Sequence, residues 1–159
     1  MTTSRLRLAI GWFEVFGASF GALIAYQLFG QVVAVLPLLA VGFILFFTLI
    51  GLAGILLVRN HPWGVPLSLI MQGMQVPVFL SPGPSYYANA GLGLRLSVDS
   101  QMNLGFYTFF GTQLHYSWQS DRTATTVGVN LVAVALIYLL IARVEEPAVK
   151  GRPDANGAA

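Results

Sequence analysis

Hydrophobic and polar positions divide the chain into four long apolar runs and one alternating stretch. The first run, Leu8 to Phe29, carries a single acid in its interior. It is long enough to cross a bilayer, since about 20 residues cover roughly 30 Å of hydrocarbon. Trp12 and Tyr26 stand near its ends, where amphipathic rings favour the membrane–water boundary. Gly30-Gln31 interrupts the pattern, and the second run, Val33 to Val58, is nearly all aliphatic and aromatic, with Pro37 in its first turn. A polar turn, Arg59 to Gly64, leads into the third run, Val65 to Leu80, which carries Ser68, Gln72, Gly73, Gln75 and Pro77. Ser81-Pro82-Gly83-Pro84-Ser85 ends that run, because proline and glycine punctuate helices. The fourth run, Thr126 to Ala142, is closed by Arg143.

Between the third and fourth runs the period changes. Leu92, Leu94, Leu96 and Val98 alternate with Gly93, Arg95, Ser97 and Asp99, which is the signature of a strand with one face covered. After Asp99-Ser100-Gln101, a second apolar file follows at Leu104, Phe106, Phe110, Leu114, Tyr116 and Trp118. The pattern predicts a β-hairpin, with a third strand if Gly111 marks a bend. Open strands are not viable in lipid, so this piece is expected outside the membrane, covering a bundle end or a partner.

The expected fold is therefore a polytopic helical membrane protein, a four-helix bundle with a small extracytoplasmic hairpin or three-stranded cap. Helices 1–3 occupy residues 1–81, the cap 82–125, helix 4 residues 126–143, and a flexible cytoplasmic tail 144–159. Composition agrees with membrane residence: 56% of the 159 residues are hydrophobic and 9% charged, against about 25% charged in soluble domains. Mean hydropathy is +0.73. A net charge of +2 offers no nucleic-acid surface. The absence of cysteine excludes disulfides, thiolate metal sites and cysteine nucleophiles. In this arrangement Arg5, Arg7, Arg59, Arg143, Lys150 and Arg152 fall on one side, with Arg95 and Arg122 on the other. The positive-inside bias then places both termini in the cytoplasm, consistent with a bacterial inner membrane.

One acid, Glu14, lies inside the first run. A carboxylate there costs on the order of 2.5–3.5 kcal/mol even on the lenient insertion scale, so donors should surround it. Ser68, Gln72 and Gln75 fall at i, i+4 and i+7 on one helix face and are the natural partners. Tyr138 is expected at a similar depth. These residues form either a polar clasp between helices or a site for a proton, a cation or a small ligand. Glu14, Gly17 and Gly21 share a helical face, and the Gly17–Gly21 spacing suits a close crossing within the chain or a seam between chains. No zinc-ligand spacing, phosphate-binding glycine loop, nucleophile elbow or HExxH occurs, so no metal, cofactor or enzyme activity is expected. The aromatics of the cap, Phe106, Phe110, Tyr116 and Trp118, are the expected contact residues. The functional expectation is a non-enzymatic subunit that contacts lipid and binds another membrane protein or a second copy. The alternative is a small transporter, channel or ligand-binding protein using Glu14, Gln72 and Gln75.

Overall fold

The computed structural model of the chain describes residues 3–35, 37–117 and 122–144. Helix α1 (Thr3–Val35) and helix α2 (Pro37–Val58) form an antiparallel hairpin, and the helix runs on through Gly30-Gln31. Glycines set their spacing: a Cβ on Gly54 would stand 2.5 Å from the Gly11 carbonyl oxygen, and one on Gly11 would stand 2.7 Å from that of Gly54. Backbones this close require residues without side chains.

A short helix, α3 (Gly64–Gln75), is followed by strand β1 (Pro77–Leu80). The hairpin β2 (Ser85–Asp99) and β3 (Leu104–Ser117) occupies the alternating segment. Strand β4 (Thr126–Asn130), helix α4 (Leu131–Leu139) and a π-helical turn (Leu140–Val144) complete the described chain. All strand pairs are antiparallel. The start of β2 (Tyr86, Tyr87) pairs with β1, its end (Arg95–Asp99) pairs with β4, and β1 pairs with β4. These three strands close a small ring, while among the described residues β3 pairs with β2 alone. The hairpin must bend to allow this, and it does so at Gly91 and Gly111, both at positive φ.

The core has two parts. Ala18, Phe46, Phe47, Ile50, Met71, Ala88 and Ala90 join α1, α2 and α3 to β2. Ile10, Leu57 and Leu140 join the other end of the helical hairpin to the π turn. The sheet lies along the middle of α1 rather than over a bundle end: Gly17 meets the Ala90 backbone, and Phe13 lies under Gly91.

The four-span bundle is overturned. The expected third span is a helix of 12 residues, about 18 Å long at 1.5 Å per residue and too short to cross, followed by a strand. Pro77 ends it, since its ring clashes with the helical carbonyl four residues back and it is tolerated as a strand's first residue. The expected fourth span begins as β4. Thr126, Val127 and Val129 are β-branched, and Gly128 lets the strand press onto Leu96 and Ser97. Asn130 then starts α4 by accepting a hydrogen bond from the Val132 N–H at 3.1 Å. The chain is thus mixed α and β, neither a four-helix bundle nor a bundle with a detached cap. Among the described residues, two helices are long and apolar enough to cross a membrane, over Ser4–Ile24 and Val41–Val58.

Their outward face is apolar throughout. Leu8, Trp12, Phe16, Phe20 and Leu23 recur every three or four residues on α1, and Val41, Leu45, Leu49, Leu52 and Ile55 do so on α2. All ten are exposed. A stripe this long has to be covered by lipid or by protein.

Candidate functional site

Two features combine unusual chemistry with a defined place in the fold. The first is buried. Glu14 on α1 is 1% exposed and faces α3. Ser68 and Gln72, one helical turn apart, both reach its Oε1: the Ser68 hydroxyl donates, and the Gln72 amide donates at 2.9 Å. The second carboxyl oxygen, Oε2, is equally buried and has no hydrogen-bond partner. A buried carboxyl held by neutral donors on one oxygen alone is an asymmetric site.

Gln75 shares the helical face but takes other partners. Its Oε1 accepts the Ala90 N–H at 2.8 Å, and its Nε2 donates to the Met71 carbonyl at 3.2 Å. It therefore ties α3 to β2. Tyr138 is 67% exposed on α4, away from the carboxyl. Gly17 and Gly21 are covered within the chain, by Ala90 and by the Phe47 ring. Thr112 adds a hydrogen bond to the Gly17 carbonyl at 2.8 Å.

The second feature is the edge of β3 away from β2, which meets no other strand among the described residues. Phe106, Phe110 and Tyr116 are exposed there, joined by Leu104 and Tyr107. Trp118 lies outside the described residues. Phe110 meets Phe20 of α1 edge-to-face at 6.0 Å, so the aromatic strand continues the outward stripe of the helical hairpin. That hairpin also holds an open groove of about 720 Å³ lined by residues including Val15, Ala18, Ala22, Phe47 and Gly51.

Sequence reasoning missed a buried amide pair. Asn89 donates to the Gly111 carbonyl at 2.9 Å and accepts from Asn130 at 3.2 Å, so it braces the bend of the hairpin against β4. The available signal was two asparagines in otherwise apolar or small-residue segments. Among the described residues, no three His, Cys, Asp or Glu side chains converge as metal ligands would. Comparison with protein-family models, curated proteins and solved structures finds no match.

Proposed function

We propose that this chain is a non-catalytic subunit whose α1–α2 hairpin sits in a membrane and whose β3 edge is completed by another protein chain. The observation that carries this reading is the 14-residue edge strand β3, lying against a helix apolar enough to span a bilayer. Lipid cannot satisfy the unpaired N–H and C=O groups of such an edge. Edges left open in solution are normally blunted with lysine, proline or inward charges. Leu104 to Ser117 contains no Lys, Arg, Asp, Glu or Pro. An added strand would satisfy the backbone, and Phe106, Tyr107 and Phe110 would supply the aromatic anchors common at interface centres.

Charge supports the orientation. Arg5 and Arg7 precede the hairpin and Arg59 follows it, which favours insertion with that end in the cytoplasm. Helix α3 is too short to recross, so both termini belong on the same side. The membrane is that of a cell surface, with the bacterial inner membrane as the working assignment.

Photo-crosslinking tests the reading. A benzophenone amino acid in place of Phe106 or Phe110 should capture one defined protein in native membranes, and the double substitution F106K/F110K should abolish its co-purification. Lipid adducts alone at both positions would sink the proposal.

A second reading, a small transporter, channel or ligand-binding protein, draws on the unpartnered Oε2 of Glu14. It expects Glu14→Gln to remove a ligand- or proton-dependent signal while leaving assembly intact.

A further inference from the structure

The carboxyl of Glu14 has more acceptor capacity than its neighbours use. Its Cβ packs against Gly54 of α2, where an added methyl would stand 3.0 Å away, so α2 closes the back of the side chain. Helix α3 closes the front with Ser68 and Gln72, both buried. Both donate to Oε1. Gln75, the next polar residue on that face, is committed to Ala90 and Met71. Oε2 is left buried with no hydrogen-bond partner.

Neutral donors disperse the charge of a carboxylate without balancing it, and buried charges are ordinarily paired with an opposite charge or with a metal ion. The donor chemistry here fits a hard cation. Ser68 offers a hydroxyl oxygen with lone pairs to spare, and the Gln72 amide presents its carbonyl oxygen after a half-turn about its terminal bond. Hard cations take carboxylate, hydroxyl and amide oxygens, whereas zinc and other softer metals prefer imidazole or thiolate. Charge sets the valence. One carboxylate balances one monovalent ion, and a divalent ion would leave a net positive charge among apolar residues. The path from water is short: residues Arg59 to Trp63 are exposed, and Ser68 lies four residues beyond Gly64, about 6 Å along the α3 axis.

We infer that Glu14, Ser68 and Gln72 form a binding site for a monovalent alkali cation, held by the carboxylate and the two neutral oxygens. This rests on the ligand-binding reading of the same carboxyl and gives that ligand a chemical class. The ion joins α1 to α3, so it stabilises the folded chain in step with its occupancy.

The test uses the full chain in neutral detergent and reads the thermal unfolding midpoint. Sodium chloride replaces choline chloride at constant ionic strength, with potassium and lithium chloride in parallel arms. A saturable rise with at least one alkali cation, absent with choline, is the expected result, and the ion that responds gives the size the site takes. Glu14→Gln should remove the rise. Ser68→Ala should weaken the apparent affinity by about tenfold, since it removes one neutral ligand and keeps the carboxylate. It also covers the case in which Glu14→Gln fails to fold. No rise with any alkali cation, or the same apparent affinity in the wild type and Ser68→Ala, overturns the site. With the cation response absent, a stabilisation by acidification that Glu14→Gln removes would leave the ligand-binding reading standing with a proton as its ligand. A Glu14→Gln chain indistinguishable from the wild type in both titrations would overturn that reading as well.

Discussion

Gly91 and Gly111 stand directly opposite one another across the β2–β3 ladder, at φ +96° and +129°. Paired positive-φ residues bend both strands at one level, and this bend carries β2 from β1 to β4. A Cβ on Gly91 would lie 3.1 Å from the Phe13 ring, whereas one on Gly111 would meet nothing within 4 Å. Gly111→Ala therefore isolates the backbone cost, expected at about 1–3 kcal/mol for a residue held in a sparsely populated conformation. Gly91→Ala should cost more, because strain and crowding add. Equilibrium unfolding of the two variants checks the order, and equal costs would contradict the steric part.

The helical crossing offers a matched pair. Gly54→Ala drives a methyl into the Gly11 carbonyl, so the hairpin must separate, at an expected 1–3 kcal/mol or about that. Gly73→Ala, in α3 with nothing within 4 Å, should stabilise by about 0.5–1 kcal/mol. Opposite signs in denaturant titrations are the expected result.

At the buried carboxyl, Glu14→Gln retains an acceptor for Ser68 and Gln72 and should change stability by less than about 1 kcal/mol. Glu14→Ala strands both donors, costing about 1–3 kcal/mol for each unsatisfied group before relaxation. If alanine proves as mild as glutamine, the hydrogen bonds are not structural.

The hairpin turn should show in the acid limb of stability. Asn103 donates from its side chain and its backbone to the Asp99 carboxyl and holds it below its usual 3.8, with the Gln101 N–H adding to this. A depressed folded value means the unfolded chain binds the proton more readily. The stabilisation is therefore complete above the unfolded value and is lost as pH falls through the folded one. The wild type should lose thermal stability more steeply than Asp99→Asn as pH falls below the ordinary carboxylate value of 3.8.

Part of the site was legible in the residue pattern. The cost of burying Glu14 and the i, i+4 spacing of Ser68 and Gln72 pointed to their convergence without coordinates. Gln75 satisfied the same spacing yet bonds Ala90, because a sheet backbone lay nearer than the carboxyl. Tyr138 matched in depth only, and depth along a helix says nothing about direction around it. Val65 to Leu80 and Thr126 to Ala142 read as spans, though their ends Pro77–Leu80 and Thr126–Asn130 are strands, because short apolar runs suit strand and helix alike. Their true partners, Tyr86–Tyr87 and Arg95–Asp99, are remote from at least one of them in the chain.

Local order thus belongs to the sequence. Side-chain period and run length set two long apolar helices and an alternating hairpin, and an acid among hydrocarbons demanded donors. Only the folded chain decided that β1 and β4 would close against the two ends of β2, and that among the described residues β3 would pair along one edge only. The reason is that strand pairing draws its energy from hydrogen bonds to residues far along the chain, and no local pattern encodes which distant segment will be there.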